Sequence, residues 1–157
     1  MDANEIRSVL VPLTGQHLLM PNATIAEVIG YSQPDPLPGS PDWLLGTVEW
    51  HGWRVPLVSF AVLTEAAETE SIAGARICIT KSLVENPRMP YVGILAQGFP
   101  RLTTVTRENL TEVPSEHNPI SVAGTVIIDS TEAVIPDLER LSHLVGHAAF
   151  GSLPLTG

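Results

Sequence analysis

The chain of 157 residues carries 17 acidic and 8 basic side chains, a formal net charge of −9, with 44% hydrophobic and only 16% charged residues. That length is enough to bury a core without disulfide or metal staples, and the composition argues against disorder. The acidic balance argues against a nucleic-acid binder, which needs a basic face, and against an anionic membrane surface, while the single cysteine, Cys78, excludes an internal disulfide.

In chain order, "IRSVLVPLTGQHLLMP" (6–21) reads as two short strands joined at Thr14-Gly15. "NATIAEVIGY" (22–31) opens on an Asn that can cap a helical turn and ends on Gly30, yet Thr24, Ile25 and Val28 suit a strand equally. "SQPDPLPGSP" (32–41) has four prolines and reads as a rigid extended loop. Two strands follow, 44–50 and 53–60, with His51-Gly52 between them. Pro56 cannot donate to a ladder, so the second strand is expected at an edge or with its N–H side free. "AVLTEAAETESIAG" (61–74) is small, acidic and without period, which predicts an exposed, mobile loop between 64 and 74 that tolerates deletion.

The β-branched run 75–83 is a strand, "VENPRMP" a turn and "YVGILAQ" a strand that Gly98 to Pro100 break. Cys78 lies among apolar neighbours and is expected to be buried. "RLTTVT" (101–106) alternates like a half-buried strand, and "RENLTEVPSEHNP" (107–119) reads as a polar connection. "SVAGTVIID" and "EAVIP" form a last pair around Ser130-Thr131. Residues 137–147, "DLERLSHLVGH", form the amphipathic helix, with Leu138, Leu141, Leu144 and Val145 on one face and Pro136-Asp137 at its start. The tail 148–157 is expected to be loose. No run reaches membrane-span length and "MDANEIRS" is not a leader, so a cytoplasmic protein without direct membrane insertion is expected. Many short strands and one terminal helix predict barrels or a sandwich.

The chemistry-bearing residues are sparse. His143 and His147 stand four apart, a spacing that can chelate a metal, but no Glu lies between them in the zincin arrangement; metal binding is not expected. His17 and His117 lie in hairpin or polar surroundings that suit solvated side chains. No G-x-S-x-G elbow or P-loop occurs, and the carboxylates of "TEAAETE" sit on a segment too flexible to fix their separation. No catalytic residue and no cofactor are assigned. At 50–53, Gly52 accommodates a positive φ at a two-residue turn, and Trp50 and Trp53 become cross-strand neighbours. Indoles there either fill a small barrel's core or anchor a protein-docking edge. The second reading expects one tryptophan facing the core and the other a partner.

The stretch "LPGSPDWLLGTVEWHGWRVPLVSF" (37–60) resembles the CheW-like domain of bacterial chemosensory systems, whose version runs approximately I-P-x-x-P-x-x-I-x-G-φ-φ-N-L-R-G-x-φ-φ-P-φ-φ-D-L. "IAEVIGY", "VGILAQGFPRLTTV" and "VAGTVIIDSTEAVIPDLERLSHLV" are similar to its other elements in order, so the resemblance covers 6–147. It implies an all-β fold of two small five-stranded SH3-like β-barrels, packed side by side around a shared core, with a C-terminal helix, as one domain over 6–147. It also implies a non-catalytic adaptor that holds a CheA-like chemotaxis histidine kinase against chemoreceptor cytoplasmic tips, recruited to membrane-associated arrays. Ile25 and Glu27 match the family's V-x-E on a partner-facing surface, Gly46 the glycine before the strand, and Glu49, Trp50, His51 and Gly52 its N-L-R-G, with Trp53 and Arg54 completing the candidate edge. His51 replaces the arginine, whose forked hydrogen bonds it cannot copy, Glu49 replaces the asparagine, and Ser59 and Gln97 replace aspartates. Such departures resemble the divergent adaptors of pilus-linked clusters, the PilI and ChpC types, and imply control of type IV pili and twitching motility. Two alternatives stand beside this: a small-ligand-binding barrel or enzyme using the inter-barrel groove, and a CheW-like domain specialised to bind another adaptor or a response-regulator-linked protein.

Overall fold

Two-residue turns set the skeleton of the chain, for which the computed structural model describes residues 5–84 and 86–151. β1 (Ile6–Leu13) folds back on β2 (Gln16–Pro21) through Thr14-Gly15, with Leu13 opposite Gln16 and Gly15 at φ +79°. A 3-10 turn at Asn22–Thr24 then leads into β3 (Ile25–Gly30), which settles the ambiguous segment as a strand. β4 (Leu44–Trp50) and β5 (Trp53–Val58) close on His51-Gly52, both at positive φ, the twist that two-residue hairpins need. β5 stops two residues earlier than expected, because the Ser59 hydroxyl accepts from the Val62 N–H at 3.2 Å and caps α1 (Phe60–Leu63).

β6 (Arg76–Lys81), β7 (Tyr91–Ala96), β8 (Arg101–Val105), β9 (Leu110–Val113), β10 (Val122–Ile128) and β11 (Thr131–Pro136) follow, then α2 (Leu138–Phe150). β9 lies inside the stretch expected to be a polar connection. It pairs with β10 from Leu110↔Ile128 to Val113↔Thr125, and Leu110 packs against a buried cluster. The last hairpin turns at Asp129-Ser130, one residue before the expected position, both in the left-handed region. α2 runs on to Phe150 because Ala148, Ala149 and Phe150 continue the face that packs on the core; residues 152–157 of the expected loose tail lie outside the described residues. Asp137 caps this helix, its carboxylate accepting from the Arg140 N–H at 2.9 Å.

The strands form a five-stranded sheet, β3-β6-β7-β5-β4, and a six-stranded one, β8-β1-β2-β11-β10-β9, where five had been expected in each. Pro56 is not on an edge strand. β5 lies between β7 and β4, and the ladder to β7 begins at Leu57, one residue past the missing N–H.

Alternation along the strands divides the interior into three cores. Leu10, Leu19, Val126, Ile128 and Ala133 fill the first barrel. Val48, Val55, Leu57, Ile77, Ile79 and Leu95 fill the second. Between them, Val9, Val11, Leu18, Met20, Val58, Phe60, Cys78 and Ile94 form a shared core that Leu141 and Val145 of α2 cover. Strands such as β1 and β6 are therefore buried on both faces, which is why "VLV" and "ICI" read as continuous apolar runs. Burial pushes the Cys78 thiol from an ordinary 9.0 up to about 12.

Most of 65–74 is exposed, as expected, but the acidic stretch 61–74 is anchored at several points. Ala61 and Leu63 are buried, and Thr64 accepts from Gln16 Nε2 at 2.9 Å while donating to the Phe60 carbonyl at 3.0 Å. One carboxylate, that of Glu70, accepts from the Thr14 N–H at 2.9 Å and the Ser59 hydroxyl at 2.6 Å. The segment is thus tied to the first hairpin and to the cap of α1, although nothing in its hydrophobic pattern marks those ties.

Candidate functional site

Direct pairing of Trp50 with Trp53 places both indoles on one face of the hairpin. This corrects the expectation that one faces the core and the other a partner: across a two-residue turn, directly opposed residues share a side. That side is the one of Val48 and Val55, so the tryptophans close one mouth of the second barrel. Trp50 is half-buried, its ring 4.8 Å from that of Tyr91 in an edge contact, whereas Trp53 is 41% exposed and 6.4 Å from the same tyrosine.

Glu27 reaches the same mouth from β3, where it pairs with Ile79, an interior residue of that barrel. Its Oε1 accepts from Trp50 Nε1 at 2.9 Å and lies 3.5 Å from His51 Nε2, a contact that is ionic only when the imidazole is protonated. His51 also meets the Trp50 ring edge-on at 4.6 Å. Glu27, Trp50, His51 and Trp53 are thereby gathered into one cluster, with Gly52 supplying the second positive φ of its turn, +82°.

The other candidates are elsewhere. Glu49 and Arg54 pair on the opposite face of the hairpin. Arg54 Nη2 binds Asp35 Oδ2 at 2.5 Å and Thr47 Oγ1 at 2.8 Å, fastening the proline-rich loop to β4. Ile25 lies across a bulge from Glu27 and packs, half-buried, against the shared core. Gly46 has φ +138°, and a Cβ there would stand 2.2 Å from the Asp35 carbonyl oxygen. Its role is to let the loop and β4 approach, not to offer a surface. Sequence reasoning missed Tyr91 and Asp35. Tyr91 opens a strand with no local signal of its target, and Asp35 sits among prolines that read only as rigidity.

The cluster is an open surface. Among the described residues no group of three or more His, Cys, Asp or Glu side chains is placed to hold a metal. A cleft of about 560 Å³ opens at the other end of the second barrel, lined by Tyr31, Leu45, Ile72, Leu95 and the carboxylates of Asp42 and Glu68. No helix among the described residues is long and apolar enough to cross a membrane.

Two barrels sharing a core through their flanking faces, with an aromatic hairpin at one mouth, define a small double-β-barrel domain. Residues 7–145 match the CheW-like domain, so the chain belongs to the CheW-like family. Its structure is similar to that of the scaffolding protein TtCheW from Thermoanaerobacter tengcongensis, with a TM-score of 0.72 at 15% identity, covering 87% of this chain and 86% of that one. No curated protein matches its sequence.

Proposed function

We propose that this chain is a non-catalytic adaptor that couples a CheA-like histidine kinase to chemoreceptor tips in a cytoplasmic array, in a system governing type IV pili and twitching motility. The observation that carries the docking assignment is the exposed Trp53 beside the braced Trp50–Glu27–His51–Tyr91 cluster. An indole held half-open on a rigid hairpin loses little entropy on binding and buries a large apolar face, the profile of an interface anchor. The family resemblance supplies the partner class. Replacement of the family's arginine by His51 supports a retuned partner preference, because His51 presents no fork and the Glu27 carboxylate beside it is shared with Trp50.

Titration calorimetry with purified kinase and receptor fragments tests the reading. Trp53→Ala is expected to weaken binding by about 2 kcal/mol while changing stability by no more than about 0.5 kcal/mol. Trp50→Ala is expected to cost about 2–3 kcal/mol of stability through lost packing and the bond to Glu27. His51→Arg is expected to strengthen binding to an ordinary receptor–kinase pair. Full partner binding by both tryptophan variants, each still folded, would remove the hairpin as the docking edge.

A further inference from the structure

The cleft at the far end of the second barrel from the tryptophans has an apolar floor, braced walls and an unbalanced charge. Leu95, an interior residue of that barrel, lies at its floor, and Tyr31 and Leu45, which pack on the same core, flank it. One wall is the proline-rich loop, where Pro34 and Pro36 line the cleft and Asp35 between them is bridged to Thr47. The other wall is the 68–72 stretch. Glu70 holds it to Thr14 and Ser59, and the Gln97 side chain donates to the Ser71 carbonyl at 2.9 Å. Ile72, on that wall, is 55% exposed. A volume of about 560 Å³ is of the size that takes a small molecule, and walls already fixed lose little freedom on binding one.

Charge selects the occupant. The carboxylates of Asp42, Glu68 and Glu70 line the cleft, and no Lys, Arg or His does. Among the described residues the ion pairs are Arg54–Asp35 and the His51–Glu27 contact, so these three carboxylates have no basic partner. Each Glu70 oxygen accepts one hydrogen bond from the protein and has a second lone pair to offer. The carboxylates are nevertheless not gathered as metal ligands, since among the described residues no group of three or more His, Cys, Asp or Glu side chains is placed to hold an ion. Acidic groups too dispersed to share one ion suit a ligand whose positive charge is itself spread along an apolar body.

We propose that this cleft binds an aliphatic amine carrying two or more positive charges, its methylenes lying on Tyr31, Leu45 and Ile72 and its ammonium groups donating to Asp42, Glu68 and Glu70. Each such contact is a charge-assisted hydrogen bond in a partly dry site. The cleft and the tryptophan hairpin stand at opposite mouths of the barrel, so filling one leaves the other open. The proposal goes beyond the adaptor reading and stands independently of what the hairpin binds.

The probe is spermidine, compared by titration calorimetry at about 0.05 M salt with butylamine, glutarate and magnesium chloride. Spermidine is expected to bind at least about tenfold more tightly than butylamine, while glutarate gives no binding heat. Asp42→Asn, Glu68→Gln and Ile72→Ser are each expected to weaken spermidine about threefold or more. Their melting curves without ligand should match the parent, since all three side chains are exposed. Saturating spermidine should raise the parent's Tm and raise that of the variants less. Glu139→Gln, at an exposed carboxylate on α2, is expected to leave binding unchanged. Spermidine binding no tighter than butylamine overturns the proposal. An equal loss in Glu139→Gln does so too, because the attraction is then diffuse. Displacement of spermidine by magnesium at matched ionic strength would make the cleft an inorganic cation site, and displacement by a lower concentration of a capped lysine-rich peptide would give it to a basic protein segment; either result overturns the assignment.

Discussion

Gly46→Ala is expected to be among the most damaging single-methyl additions in the chain. At φ +138° the position already lies where only glycine is unstrained, a cost of about 1–3 kcal/mol for any other residue. The added Cβ would also sit 2.2 Å from the Asp35 oxygen, 2.8 Å from its carbon and 3.1 Å from Pro34 Cβ. These are backbone and ring atoms in a proline-braced segment, so they cannot swing aside as a flexible side chain would. Relief requires opening the bridge in which Asp35 donates to the Thr47 carbonyl at 2.8 Å and Thr47 to the Asp35 carbonyl at 2.9 Å. Two such bonds contribute about 1 kcal/mol each. The exposed Arg54–Asp35 pair adds little. The total, about 3–5 kcal/mol, corresponds to a fall in Tm on the order of 10 °C for a domain of this size. Urea unfolding followed by tryptophan fluorescence, with calorimetry alongside, measures it. Gly124→Ala is the control, since a Cβ there meets nothing within 4 Å, and it should be close to neutral. A loss below about 1 kcal/mol for Gly46→Ala would refute the close-approach argument.

Glu70→Ala is expected to cost about 1.5–3 kcal/mol by removing two charge-assisted hydrogen bonds, and to make 64–74 the first site of limited proteolysis; unchanged stability would leave the stretch as the free loop its sequence pattern predicts. Because the folded pKa of Cys78 is raised, its contribution is fully present below about pH 9 and is lost as pH rises toward about 12, up to roughly 4 kcal/mol. Cys78→Ala should therefore show a shallower fall in urea-measured stability above about pH 9 than the parent, and parallel curves would count against a buried neutral thiol. Ser130→Gly is expected to stabilise by about 1 kcal/mol, since Ser130 is held at φ +72°; a loss of stability in thermal melts would show that its side chain matters more than its strain.

The turns were the most legible part of the chain. Gly15 and Gly52 sit where a positive φ is needed, and the strands on either side are apolar enough to be seen. β9 was hidden because Leu110 and Val113 are its only apolar residues in a polar run, and its identity depends on β10 across the sheet. Leu102 was misleading in another way. Its alternation with polar neighbours fits a half-buried strand, yet the face it points to has no cover at the sheet edge. For the candidate site, the pairing of the tryptophans and the convergence of Glu27 differ in kind. The first follows from turn length alone, while the second requires β3 to cross to the same barrel mouth, which no local pattern encodes. Gly46 shows the limit of reading roles from a motif, since its matched position serves backbone approach rather than contact.

The order of strands in the two sheets has a consequence for synthesis. β1 and β2 emerge from the ribosome first, but their sheet neighbours β8 and β11 follow only after the whole of the second barrel. At about 5–20 residues per second the opening hairpin waits several seconds for them. The second barrel, contiguous in the chain, has all its own strands before then. Its flank of Val58, Cys78 and Ile94 is apolar and has only the waiting hairpin to lie against. We expect a nascent intermediate in which the hairpin shields that flank. Truncations ending between β7 and β11 should accordingly be sticky, chaperone-bound species, whereas a chain extended through α2 can complete the six-stranded sheet and cover the flank.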